Sequence, residues 1–235
     1  GTTNVLSAAK KVGSVKSFVV ITSDKCYENK EWSFPYRESD RLGGFDPYSS
    51  SKACTELVTD SLRNVFVLEN SKIRIASARA GNVIGGGDWS SDRLIPDCMK
   101  SWLAQKKVFI RNPTSTRPWQ HVLEVLNGYL KLAAKLKENK KNLHGEAFNF
   151  GPDTKKNYKV IDVLKNIKKI WPIAKWKIIN NKKFFENVLL QLDSSKAKRI
   201  IKWRPVLKFN ETINLTVDWY KFYSKYKKDM SSKSL

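Results

Sequence analysis

The stretch Ser17-Phe-Val-Val-Ile-Thr-Ser-Asp-Lys25 changes character at one point. Phe18 to Ile21 is a continuous apolar run, the pattern of a strand covered on both faces in a parallel sheet. Thr22, Ser23, Asp24 and Lys25 then set two hydroxyls, a carboxylate and an ammonium at the strand's carboxyl end. That end is where open α/β sheets hold their ligands.

Working outward, Thr3 to Lys11 has the apolar spacing of a short amphipathic helix. On the other side, Glu28 to Phe45 reads as a loop, and Asp46–Pro47 as a helix start, with Asp as N-cap and Pro at the first helical position. That helix is predicted from Pro47 to about Asn70, followed by a buried strand over Ile73–Ala78. Gly81, Gly85, Gly86 and Gly87 mark a flexible loop. Further helices are predicted over Asp92–Gln105, His121–Lys137, Val160–Ile170 and Asn210–Phe222. Strands are predicted over Val108–Ile110, Ala147–Phe150 and Lys177–Ile179, and Lys227–Leu235 reads as a frayed tail. Helices alternating with buried strands indicate an α/β fold with a parallel sheet.

Composition narrows the function. The 235 residues are 41% hydrophobic and 11% aromatic, which excludes a disordered chain. No apolar run reaches 18 residues, so no transmembrane helix is expected, and no signal peptide is visible. The net charge of +22 favours polyanionic partners, nucleic acid among them. The Lys clusters lack interleaved aromatics, however, and Lys-rich solvated surface accounts for the surplus. The cysteines Cys26, Cys54 and Cys98 are odd in number and widely spaced, which argues against disulfides and zinc and suits a reducing, cytoplasmic setting. With only His121 and His144, no metal site is expected.

Tyr48 and Lys52 lie four residues apart at the start of the capped helix, and so on one face of it. An ammonium beside a phenol favours the phenolate, which can serve as a general base toward a sugar hydroxyl. Alone this spacing is common and reads as an exposed helical pair. Preceded by the Thr22–Lys25 strand end, it resembles the extended, sugar-nucleotide-modifying branch of the short-chain dehydrogenase/reductase superfamily.

Longer segments resemble the CDP-glucose 4,6-dehydratases. They are Ile21–Asn29 with Glu31–Trp32, Asp46–Glu56, Arg79–Trp89 and Asp92–Asp97. Arg117–Glu124, Phe148–Pro152, Leu192–Lys198 and Trp203 complete the series, in order over most of the chain. The resemblance implies the C-terminal part of an NAD-binding Rossmann-type doubly wound parallel sheet plus a smaller α/β substrate-binding domain. Residues 1–86 would be a partial Rossmann domain and 87–113 a substrate-binding segment. Residues 114–152 would return to the Rossmann domain, and 153–235 would form the C-terminal substrate domain.

The implied reaction oxidises the glucose C4 hydroxyl, eliminates water across C5 and C6, and returns the hydride to C6. Tyr48 would remove the C4 hydroxyl proton, and Lys52 would assist it and hold the nicotinamide ribose. Ser23 would orient the C4 oxygen, with Thr22 beside the cofactor. Asp24 would protonate the departing C6 hydroxyl. Lys25 would either take the C5 proton or stabilise the enolate. Asn82, Arg93, Leu94, Arg111 and Arg117 would contact the sugar nucleotide, its diphosphate above all, while Trp119 and His121 read as packing. Relatives are homodimers, with the Tyr48–Lys52 helix and the following helix at the interface.

No G-x-G-x-x-G loop occurs anywhere in the sequence, and the chain begins at Gly1. About 100 or more preceding residues, carrying that phosphate-binding loop, are therefore expected. The chain alone is expected to be unstable or inactive. Two other readings stay open: a different extended-family epimerase or dehydratase, and a basic nucleic-acid-binding protein. An epimerase needs no acid at C6, so Asp24–Lys25 speaks for a dehydratase. A nucleic-acid binder has no use for Tyr48, Lys52 and Asp24 in this context.

Overall fold

The structure, a computed structural model, describes residues 1–68, 72–138, 143–152, 158–179 and 189–226. The expected helix end at Asn70, the Lys-rich stretches 139–142 and 180–183, and the 227–235 tail lie outside the described residues. The chain forms two compact units.

The first unit comprises Gly1–Gly81, Glu124–Asp153 and Leu190–Pro205. It opens with α1 (Thr2–Val12), which ends where Gly13 takes the left-handed conformation, φ 71°, that favours glycine. Strands β1 (Ser17–Ile21) and β2 (Arg74–Ala80) pair in parallel, Phe18 opposite Ile75 and Ile21 opposite Ala78. The seventh strand of the chain, Ala147–Phe150, pairs in parallel on the far side of β2. β2 is therefore central, and Ile75 to Ala80 are all buried. β1 departs from the expected burial: Phe18 and Val19 are half-buried, and Ile21 is 45% exposed. The reason is positional, since β1 has a described strand neighbour on one side only.

Between β1 and β2 runs α2 (Pro47–Leu68), and its cap is as expected. The Asp46 carboxylate accepts from the Ser49 amide at 3.0 Å and the Ser49 hydroxyl at 2.6 Å. Those hydrogen bonds hold its carboxyl below the ordinary aspartate range. Asp46→Ala is expected to cost about 1 kcal/mol of stability, read from a urea melt. The loss should shrink as pH falls through the carboxyl's lowered folded value, where the capping charge is neutralised in the parent too.

Asn82–Leu123, Thr154–Leu189 and Val206–Leu235 make the second unit. Its elements are β3 (Val83–Ile84), α3 (Leu94–Leu103), β4 (Val108–Ile110), β5 (Thr116–Arg117) and β6 (Gln120–His121). Helix α4 (Val122–Lys137) leads back to the first unit and to the strand over Ala147–Phe150, here β7. β8 (Tyr158–Lys159), α5 (Val160–Ile170) and β9 (Trp176–Ile178) follow in the second unit, then α6 (Ser195–Ile200) in the first and α7 (Phe209–Tyr226) in the second. In the second unit β4 pairs with β9 and β3 with β6, both parallel, and β5 with β8 antiparallel. Its core gathers Ile95, Met99, Trp102, Leu164, Ile167 and Val217.

The division differs from the four sequence segments in three places, the first being residues 82–86, expected in the partial Rossmann domain and found in the second unit. Leu190–Pro205, expected in the C-terminal domain, belongs to the first unit. Leu192 bridges Tyr36, the Ser194 hydroxyl accepts from the Gly151 amide at 2.8 Å, and the Trp203 ring packs edge-on against Phe150. Residues 114–123, expected to return to the sheet, stay in the second unit through β5–β8 and β3–β6. The glycine loop also departs from expectation. A side chain at Gly85 would meet Val122, and one at Gly86 would overlap the Trp219 ring. These glycines permit close packing.

Candidate active site

At the end of β1 the backbone turns into a short 3₁₀ helix over Asp24–Cys26. Ser23 shapes that turn: its hydroxyl donates to Asp24 Oδ1 at 2.9 Å and accepts from the Lys25 amide at 3.2 Å. Asp24 is 2% exposed, and Lys25 is partly exposed. The charge of Lys25 contributes to the lowered Asp46 carboxyl, after the larger effect of Ser49. Lys25 thus lies close to the capped start of α2.

Tyr48 and Lys52 occupy that start. Tyr48 is 55% exposed, and Lys52 Nζ sits 5.6 Å from its ring centroid. The phenol and the ammonium therefore share one accessible helix face, as their spacing predicts. Backbone packing fixes where this face begins. Gly44 lies so close to Ser49 and Ser50 that a Cβ there would overlap the helix, and the Ser50 hydroxyl donates to the Gly44 carbonyl at 3.0 Å.

Thr22 turns another way. Its hydroxyl donates to Glu56, a residue the sequence reading passed over. Glu56 is 4% exposed and also accepts from Ser77 at 2.6 Å and from Arg79 Nη2 at 2.9 Å. Burial pushes its carboxyl up, but the hydrogen bond and charge of Arg79, aided by Ser77 and Thr22, outweigh it and hold the group below the ordinary glutamate range. Arg79 Nη1 donates to the Tyr27 hydroxyl at 2.9 Å, and Tyr27 donates to Asn149 Oδ1 at 2.7 Å.

Two further residues frame Asp24. A side chain at Gly81 would overlap its carboxyl. Tyr129 on α4 has its phenol pushed up to about 12, chiefly by burial and then by the charge of Asp24. Gly81→Ala is expected to displace Asp24 and to cost about 1–3 kcal/mol, checked by thermal melting and by the signals around Asp24 in an NMR spectrum.

The cysteines take no part in this arrangement. Burial pushes the Cys26 and Cys98 thiols up to about 12, so both stay protonated at neutral pH. Cys54 is exposed. Among the described residues no cluster of three or more His, Cys, Asp or Glu side chains could hold a metal ion. No described helix is long and apolar enough to cross a membrane.

The residues expected to hold the sugar nucleotide all lie in the second unit. Asn82 has a left-handed backbone, φ 42°, and its carbonyl accepts from the Gln120 amide at 3.3 Å. Arg93 is exposed at the N-cap of α3, and Leu94 packs half-buried on the core. Arg111 is exposed just after β4. Arg117 is half-buried on β5 and donates to the Thr116 carbonyl at 2.8 Å. Trp119 and His121 are buried, as a packing role requires.

Residues 1–216 match the sequence profile of the GDP-mannose 4,6 dehydratase family. The chain belongs to that family. Among curated relatives, it is 44% identical to the CDP-glucose 4,6-dehydratase of Salmonella typhimurium over 94% of this chain and 63% of that protein. It is 24% identical to the human dTDP-D-glucose 4,6-dehydratase over 93% of this chain and 60% of that one. The chain thus spans rather less than two thirds of the length of these 4,6-dehydratases. Among solved structures, the epimerase Mth375 of Methanothermobacter thermautotrophicus superposes with a TM-score of 0.82 at 23% identity, covering 95% of this chain and 64% of that one. The dTDP-glucose 4,6-dehydratase of Bacillus anthracis in complex with NAD superposes with a TM-score of 0.77 at 21% identity, covering 96% and 68%. The parallel α/β arrangement is the fold of both of these solved structures.

Proposed function

We propose that this chain carries the catalytic and substrate-binding parts of an NAD-dependent CDP-glucose 4,6-dehydratase, a hydro-lyase that yields CDP-4-keto-6-deoxyglucose. The observation that carries this reading is Asp24, a buried carboxyl held by Ser23 in the same unit as the Tyr48–Lys52 face. Epimerisation at C4 needs a base and a hydride acceptor. Removing a C6 hydroxyl also needs an acid, and Asp24 supplies one. The 44% identity to a CDP-glucose 4,6-dehydratase supports the choice of substrate.

The accessible phenol and ammonium of Tyr48 and Lys52 fit the nicotinamide ribose end of NAD. When bound, NAD accepts a hydride from C4 and later returns it to C6. Tyr48 takes the proton of the C4 hydroxyl, with the Lys52 ammonium beside its ring. Ser23 orients the C4 oxygen. Asp24 gives a proton to the departing C6 oxygen. Lys25 either removes the C5 proton or steadies the enolate's charge. Arg93, Arg111 and Arg117 bind the diphosphate, guanidinium forks matching phosphate oxygens, with Asn82 and Leu94 beside them. The whole protein acts as a homodimer in a reducing cytosol, with α2 at the dimer interface.

The test is to incubate the protein as its gene encodes it with CDP-glucose and NAD and to follow the products by NMR. A 4-keto-6-deoxy sugar nucleotide supports the reading. A 4-epimer in its place would make the protein an epimerase.

A further inference from the structure

We propose that Glu56 is a positioning residue, which ties the Tyr48–Lys52 face of α2 to the strand end that carries Ser23 and Asp24. The proposal rests on the dehydratase reading above. Tyr48, Lys52 and Glu56 recur every four residues and so lie along one side of the helix. The first two meet the ligand; the third turns inward.

Its single carboxylate collects three donors from two other pieces of chain. Thr22, which donates from the end of β1, directly precedes Ser23 and Asp24. Ser77 and Arg79 donate from the neighbouring strand β2. Two residues beyond Arg79 is Gly81, whose missing side chain leaves room for Asp24. One buried group therefore fixes the helix bearing the base, the turn bearing the acid, and the strand against which the acid rests. Two carboxylate oxygens with three charged or hydroxyl donors leave little rotational freedom. A carboxylate so well partnered is directional, and direction is what relative placement of base and acid requires. A shift of about 1 Å in such placement costs on the order of 100-fold in rate.

The test compares Thr22→Val and Glu56→Gln with the parent, all as the full gene product. Thr22→Val keeps the β-branched shape and the Glu56–Arg79 pair but removes the hydroxyl that reaches the helix. Per mole of folded enzyme, kcat is expected to fall about 10–100-fold with KM for CDP-glucose changed less than about threefold. A merely structural role would lower the folded fraction and leave kcat per mole of folded enzyme in place. Hydrogen exchange gives a second readout, independent of substrate. Amides of residues 22–26 should exchange about tenfold faster in Thr22→Val than in the parent.

Unchanged kcat and exchange in Thr22→Val would overturn the proposal. If Glu56→Gln fails to fold, Thr22→Val decides alone. If the parent leaves CDP-glucose untouched, the dehydratase reading fails, and the exchange measurement still decides whether Glu56 holds the strand end.

Discussion

Asp24→Asn is expected to stop the reaction halfway. Asparagine matches aspartate in shape and keeps an oxygen for the Ser23 hydroxyl, which donates to Asp24 at 2.9 Å. The turn over Asp24–Cys26 should therefore survive. What is lost is a proton that can be handed to a departing hydroxyl. General acid catalysis contributes about 10²–10⁴-fold, and dehydrated product should form slower by that factor. Oxidation at C4 uses Tyr48 and Lys52 and should continue. The intact 4-keto hexose then accumulates and can be trapped by borodeuteride reduction, with deuterium at C4 and the C6 hydroxyl retained. Tyr48→Phe gives the contrast: without the base neither ketone nor dehydrated product should form. A variant at Asp24 that dehydrates at the parent rate would remove the acid from the mechanism. The C6 proton would then come from another group.

The residues proposed to face the ligand stand out in the sequence because their chemistry is written in short spacing. Asp46 and Pro47 announce the helix, and Tyr48 and Lys52 follow within its first turns. The polar step from Ile21 to Thr22 marks the end of a strand. The supporting residues were harder to read. Glu56 has the same period as Tyr48 and Lys52, yet a glutamate on a helix is usually solvated, and nothing local says that this one turns inward. Its partners Ser77 and Arg79 are 21 and 23 residues away in sequence, and Thr22 is 34. The i, i+4, i+8 period, combined with Ser77 and Arg79 inside a strand that also carries Ile75, Ala76 and Ala78, was the available signal. Gly81 shows the converse error. A glycine after a strand reads as freedom, whereas here it provides room for a carboxyl. The grouping of Leu190–Pro205 with the first unit was hard to read for a related reason: its ties to Tyr36, Phe150 and Gly151 are distant in sequence, and no periodicity reports them.

The second large effect concerns stability. Arg79→Met is expected to destabilise the protein by about 3–5 kcal/mol, because it leaves Glu56 ionised and buried with hydroxyl donors only. For a domain of this size that is a fall in Tm of about 6–20 °C. The pair is nearly closed to water, the Arg79 and Glu56 side chains being 5% and 4% exposed, so solvent screening offers little relief. Tyr27 and the Glu38 carbonyl lose a donor as well. The pH dependence separates this cause from a plain packing defect. In the parent, Arg79 holds the Glu56 carboxyl below its ordinary range, so its contribution is present above about pH 4.3 and disappears only as pH falls through the lower folded value. In the variant, burial acts without the guanidinium and raises the carboxyl above its ordinary range. The variant's penalty therefore grows as pH rises and is relieved as pH falls, when Glu56 takes up a proton. The gap in Tm between parent and variant should be widest near pH 7 and narrow toward pH 5. A gap that stays constant over that range would mean that the missing volume of Arg79, not the stranded charge of Glu56, sets the loss.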